Sequence, residues 1–329
     1  MADSDLEALQ RRAGEYFSQR EAGCPAEFPR DAVKALLASD SYDGWAVGLY
    51  LLNALEQEQV ADYFHDAAET HRPLAIYYAS ELYDETRDAG PGLLDAGEAA
   101  FRAIVEQKQL PSELAIQVLT EFRDLAQMGI AALSAEPPGV ATGGPLAVIL
   151  HGTWATKTDW WQPHVGDFWN YIKPHWPHLY DGSSPFWWSG ADKHKSRMNA
   201  ANDLIRWAKL QGADELDIIA HSHGGNVCLA AAELGLKINR LVLLGTPIRT
   251  QYMLNLANIR SIRNIFSISD WVQIPGAKPH TRGEGRTLSD SAFVRNFRAT
   301  ENAKGKGPGH SELHEPDTWR ASGLDPLLH

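Results

Sequence analysis

Residues 216–236 read LDIIAHSHGGNVCLAAAELGL, and the character of this stretch changes halfway along. Leu216, Ile218, Ile219 and Ala220 form a short apolar run of the length expected for a buried parallel strand. From Gly224 onward the segment is Ala-rich with helical spacing. Between the two lies His221-Ser222-His223-Gly224-Gly225. A serine on so sharp a strand-to-helix turn exposes its Oγ above the sheet, and small residues two before and two after it let neighbouring backbone come close. Here those positions are Ala220 and Gly224. The same turn aims the first N–H groups of the helix at negative charge developing beside Ser222.

The pentapeptide Ala220 to Gly224 resembles the nucleophile elbow of the α/β-hydrolase family, in its lipase and esterase branch, with Ala220 as a small-for-small departure from G-x-S-x-G. Upstream, Leu146-Ala147-Val148-Ile149-Leu150 is another buried-strand run, and it ends in His151-Gly152-Thr153-Trp154. That resembles the HG-containing loop after the family's third strand. The resemblance implies that Thr153 or Trp154 supplies one oxyanion N–H and His223 the other.

Alternating strand and helix surround these motifs. Asn199–Leu210 places Ala201, Leu204, Ile205 and Ala208 on one face, Ile238–Leu244 is a strand ending in Gly245-Thr246-Pro247, and Phe186–Ser189 is expected to be a strand. The pattern implies an α/β fold with a doubly wound, mostly parallel sheet and sites at the carboxyl ends of strands.

A serine hydroxyl needs a base, and the base needs an orienting acid. The family's chain order is serine, acid, histidine. Ile262–Ser269 reads as a strand with Asp270 at its end, favoured over the loop residue Asp290 because strand ends position side chains better. Gly309-His310, followed by Glu315-Pro316, resembles the family's C-terminal histidine loop. His310 therefore maps onto the base, with His314 as the alternative. His221 and His223 flank the nucleophile but leave the elbow in other directions, and the resemblance gives them packing and pocket-shaping roles.

From Trp154 to Trp188 the chain holds seven of its 11 tryptophans. In the family this region builds substrate walls, so His151, Gly152, His221, Trp160, Trp161, Trp187 and Trp188 are candidate pocket residues; the other reading is that the rings cap the core. No HxxxH or paired Cys/His spacing accompanies His164, His175 and His178, so no metal is expected.

Charge divides the chain. Residues 1–136 carry 25 acidic and 10 basic side chains, whereas residues 137–329 carry 17 and 20. The first part reads as an all-helical domain, with helices at Asp31–Ser39, Trp45–Leu55, Pro73 to about Arg87, Leu93–Gln107 and from Pro111 onward; in the last, Leu114, Val118, Phe122 and Leu125 make one stripe. Tyr77, Tyr78 and Tyr83 are expected to pack. Residues 137–145, within EPPGVATGGP, read as a Pro/Gly linker, and 146–329 as the catalytic domain.

A net charge of −12 without a basic stripe excludes nucleic-acid binding as an expected activity. No apolar h-region opens MADSDLEALQRR and no run approaches bilayer length, so a soluble, cytoplasmic protein is expected. Two cysteines, Cys24 and Cys228, make no disulfide framework. The implied activity is cofactor-free cleavage of a small-molecule carboxylic ester, with an apolar acyl or aromatic group, through an acyl-enzyme on Ser222. An acyltransferase or thioesterase would use the same residues. The competing class is an interaction scaffold whose acidic helical domain binds a protein partner; a further possibility makes that domain a lid over Ser222.

Overall fold

The computed structural model describes residues 3–54, 68–134, 146–252, 254–278, 281 and 284–329. The chain falls into two compact units, Met1–Ala135 and Glu136–His329. The expected linker, residues 137–145, lies outside the described residues, as does Leu55.

Every regular element among the first unit's described residues is helical, the α-helices being α1 (Asp3–Glu21), α2 (Arg30–Leu37), α3 (Tyr42–Asn53), α4 (His71–Thr86), α5 (Leu93–Lys108) and α6 (Ser112–Ser134). The helices form where the apolar spacing asks for them. Val33, Leu36 and Leu37 of α2 are buried, and α3, apolar nearly all round, buries eight of its 12 residues behind a Ser41 hydroxyl that accepts from the Gly44 N–H. Pro91-Gly92 marks the break expected there, with Gly90 at φ 56° turning the chain between α4 and α5. On α6 the stripe Leu114, Val118, Phe122 and Leu125 is buried while Glu113, Gln117 and Arg123 are exposed. Phe122 seats its ring against Gly97 of α5, where an added Cβ would lie 1.8 Å from the ring. Tyr78 and Tyr83 are buried, and Tyr77 is half-buried with its ring edge-on to Tyr78 at 5.1 Å.

The second unit is an α/β layer structure. Its described strands are β1 (Leu146–Leu150), β2 (Glu215–His221), β3 (Lys237–Leu244), β4 (Ile259–Phe266) and β5 (Val294–Arg298). They pair in the order β1-β2-β3-β4-β5, each pair parallel. Alternate residues of each strand feed two separate cores. Val148, Leu150, Leu216, Ile218, Ala220, Leu241 and Leu243 join α8 (His194–Leu210) and α9 (His223–Glu233) on one face. Ala147, Ile149, Ile219, Val242 and Leu244 join Phe168, Trp169 and Ile172 of α7 (Asp167–Ile172), with Trp176 and Trp319, on the other. Helices thus cover both faces, as a parallel sheet requires. Strand order follows chain order, so the site described below stands over strand ends and not at a reversal of the sheet.

Two expectations are corrected. Phe186–Ser189 is not a strand: the Thr156 hydroxyl hydrogen-bonds to the Trp188 and Ser189 carbonyls, and the Trp188 indole N–H donates to the His151 carbonyl. These side-chain bonds replace a ladder. The outer edge of β1 instead meets one bridge, Ala147 to Leu179, with the Tyr180 N–H donating to Ala147 O at 2.8 Å. Second, β4 begins and ends three residues earlier than the sequence suggested, at Phe266, so a short turn separates it from Asp270. No helix among the described residues is long and apolar enough to cross a membrane.

Candidate active site

β2 delivers Ser222 to the end of the sheet in a conformation few residues adopt. Its φ and ψ are 54° and −135°, a backbone that costs a non-glycine residue about 1–3 kcal/mol and that surrounding bonds must enforce. The Ser222 N–H donates to Leu244 O at 2.8 Å, and Ser222 O accepts from the Gly225 N–H at 3.0 Å as α9 begins. Two glycines permit the close approach of the next loop. A Cβ on Gly152 would lie 2.6 Å from the Ser222 Cβ, and one on Gly224 would lie 2.6 Å from His151 O. The loop expected after a third strand here follows β1, the first described strand, which is the direct neighbour of β2.

That loop, residues 151–154, is buried. The Trp154 N–H is bonded to Gly190 O at 2.8 Å, with Trp154 at φ 56°. The His151 Nδ1–H donates to Gly152 O at 2.8 Å, which fixes the plane of the Gly152–Thr153 peptide; since C=O and N–H of a trans peptide point oppositely, it also fixes the direction of the Thr153 N–H. Burial pushes His151 down to about 4, so its ring is neutral at pH 7 and Nδ1 carries the proton.

Asp270 and His310 meet at the same end of the sheet. The His310 Nδ1–H donates to Asp270 Oδ2 at 2.7 Å, and both side chains are fully buried. The other carboxylate oxygen, Oδ1, accepts from the N–H groups of Val272 (3.0 Å) and Gln273 (2.9 Å), so the turn after β4 holds the acid in place. Arg286 closes that turn by donating to the carbonyls of Ser267 and Asp270. Asp290 does not take part: it is exposed and accepts from the backbone and side chain of Asn296.

The flanking histidines go where the elbow sends them, in different directions. The His221 ring lies 4.4 Å from the His310 ring and 4.9 Å from that of His314. The His223 ring stands over Asp192, 3.3 Å from Nε2 to Oδ1, while its Nδ1 meets the Asn226 amide at 2.8 Å. Burial pushes both imidazoles well below the usual histidine range. His314 lies in the short 3-10 turn Ser311–His314 after His310, its ring stacked on Trp160 at 4.0 Å.

Of the candidate pocket residues, Trp160 faces the site histidines, lying 5.6 Å from the His221 ring. Trp161 and Trp188 are buried beside His151, at 4.8 and 5.9 Å, and Trp187 is half-buried against the second core. Trp154, Trp169 and Trp176 are buried as well, so most of this aromatic segment caps the sheet. Ser222 itself is 2% exposed.

Sequence reasoning missed Asp192. It lies 3.3 Å from His223 Nε2 and pairs with the buried Arg197 at 2.8 Å, yet it sits in a segment with no periodic pattern, 30 residues before the elbow. It also missed Glu312, whose carboxylate accepts from the Gly309 N–H at 2.7 Å. Among the described residues no three His, Cys, Asp or Glu side chains converge as ligands for a metal ion. Cys228 is buried, and burial raises its thiol above the ordinary range, which fits a packing role.

The second unit thus sets a strained serine between β2 and α9, and an Asp-His pair from later in the chain, over one end of a parallel sheet covered by helices on both faces. No protein-family model and no curated protein matches the chain. Among solved structures it is similar to Aspergillus fumigatus lipase B, at 13% identity over 90% of this chain and 85% of that one, with a TM-score of 0.38. It is also similar to a 2,6-dihydroxy-pseudo-oxynicotine hydrolase, at 14% identity over 90% and 94%, with a TM-score of 0.34.

Proposed function

We propose that the second unit is a serine hydrolase that cleaves carboxylic esters through an acyl-enzyme. The observation that carries this reading is the buried 2.7 Å bond from His310 to Asp270 at the strand ends where the strained Ser222 also stands. With Nδ1 bonded to the carboxylate, His310 exchanges protons at Nε2.

Ser222 Oγ attacks the ester carbonyl carbon while its proton passes to His310 Nε2. The new oxyanion is held by the N–H of His223, at the start of α9, and by that of Thr153; Trp154 has already given its N–H to Gly190. The alcohol leaves with the proton from His310, water then attacks the acyl-enzyme with His310 as base, and the carboxylic acid is released. Asp270 keeps the imidazole in the productive tautomer and offsets its charge. Trp160, stacked on His314, supplies an apolar wall suited to an acyl or aromatic group.

The test is turnover of p-nitrophenyl esters of increasing acyl length by the full chain and by Ser222→Ala. Hydrolysis by the former and none above buffer by the latter is expected. Equal turnover by the two would overturn the reading.

A further inference from the structure

The described residues around Ser222 include an imidazole for which the proposed chemistry has no use: His221, immediately before the nucleophile. Its Nε2 lies 3.1 Å from the main-chain oxygen of His310. A carbonyl only accepts, so Nε2 must carry the hydrogen, and the buried, neutral ring has a single proton to place there. The side chain of the residue before the serine is thus bonded to the backbone of the residue proposed as base, across 89 positions of sequence.

A second bond acts on the other side of that backbone. Glu312 Oε2 accepts from the Gly309 N–H at 2.7 Å, and both its oxygens accept from the Asn302 amide, at 2.9 and 3.0 Å. Asn302 Oδ1 in turn accepts from the N–H groups of Lys304 and Lys306. The Gly/Lys-rich loop before the histidine is therefore tied to the turn after it. Together with the Asp270 bond to the ring, three side chains fix His310: one on its imidazole, one on its carbonyl and one on the N–H that precedes it.

We infer that His221 and Glu312 are positioning residues that hold His310 in register with Ser222. Of the two, His221 bears most directly on the geometry, because it is covalently adjacent to the serine. Movement of the histidine loop away from the elbow must break the Nε2–H bond, so the proposed serine-to-base distance is set through one side chain and one peptide unit. A misplacement of about 1 Å between reacting groups costs on the order of 10²-fold in rate. Ordinary core packing, the competing explanation, would be satisfied by any flat ring of the same size.

The inference rests on the hydrolase reading for its kinetic consequence, and on geometry alone for the bonding. Four variants separate these. His221→Phe keeps a flat ring and removes the donor; His221→Gln keeps an N–H near the Nε2 position. Glu312→Ala removes the acceptor and Glu312→Gln retains one. The probes are kcat and KM for a p-nitrophenyl ester, and the low-field proton resonance of the His310 Nδ1–H in the full chain. We expect kcat to fall by about 10²-fold in His221→Phe and Glu312→Ala with KM unchanged. The resonance should broaden or vanish in both, and the two glutamine variants should recover kcat and resonance toward wild type. His221→Phe or, if that variant does not fold, Glu312→Ala with wild-type kcat and an unaltered resonance would overturn the positioning role. A wild type that hydrolyses no ester would count against the hydrolase reading alone, because the resonance would still report whether His221 and Glu312 hold the ring.

Discussion

The helical unit buries mainly aliphatic and aromatic side chains, among them Val33, Leu36, Leu49, Leu82, Val118 and Phe122, with few polar companions such as Thr70, His71 and Asp84. The sheet unit buries a comparable aliphatic core and adds Arg197, Asp217, Asp270, Asn264, Gln273 and the imidazoles of His151, His221, His223 and His310. Backbone strain divides the same way. In the first unit the one described non-glycine residue at positive φ is Gln109, which ends α5 in a left-handed cap; in the second they are Trp154, His164 and Ser222. A buried polar group costs stability unless it is bonded, and a strained residue persists only where its surroundings enforce it. Both costs fall in the unit that carries the candidate site at Ser222, and α1 to α6 show what the chain builds when packing is the main requirement.

That contrast can be broken by mutation. The largest effect is expected for Asp270→Asn, which keeps the shape of the acid but leaves His310 in the wrong tautomer. Its kcat should drop on the order of 10⁴-fold, by the magnitude known for a serine protease triad, with little change in Tm. A loss of Tm with kcat retained would make Asp270 a packing residue instead. The converse is expected of Phe122→Ala. Removing the ring that fills the space over Gly97 should cost the helical unit about 3–5 kcal/mol, read as a lower urea midpoint; a cost below about 1 kcal/mol would mean that the unit collapses around the gap.

The smallest effect per step concerns acid. His151 in the folded chain is held at about 4 and His314 at about 3, both by burial first, while His221 and His223 are also held well below the ordinary 6.5. Above pH 6.5 both folded and unfolded chains carry these rings neutral, so stability is undiminished there. As pH falls from 6.5 toward 4 the unfolded chain takes up protons that the folded chain refuses, so stability is lost across that window. Urea unfolding of the full chain across that window should show the sheet unit weakening. A flat profile would show that these imidazoles are accessible to protons in the folded state.

Much of the candidate site's layout was legible because its signals are local. The change from a short apolar run to helical spacing at Ser222 needs only a few residues to be read, and the apolar run Leu146–Leu150 announces the loop at His151 in the same way. The helical stripe of α6 was equally plain. Where the reading went wrong, longer-range bonds decided. Phe186–Ser189 has the aromatic content of a strand, but Thr156 and His151 engage it from elsewhere in the chain. The boundary of β4 was obscured because Arg260, Ser261, Arg263 and Asn264 interrupt its apolar run; Asn264 is buried, and its amide donates to Arg286 O and Asn296 Oδ1. The tryptophans after residue 153 were open to two readings, substrate wall or core cap; Trp161, Trp169, Trp176 and Trp188 join the two cores, and Trp160 packs against the second while lying beside His221 and His314. Asp192 and Glu312 act through partners that only the folded chain supplies.

Whether Ser222 is an activated nucleophile is reported by a fluorophosphonate probe without any assumption about the ester. Intact mass after labelling should rise by one adduct, mapped to Ser222 by peptide sequencing, and Ser222→Ala should gain none. An unlabelled wild-type chain, or an adduct of equal yield on Ser222→Ala, would contradict the proposal that Ser222 is the nucleophile.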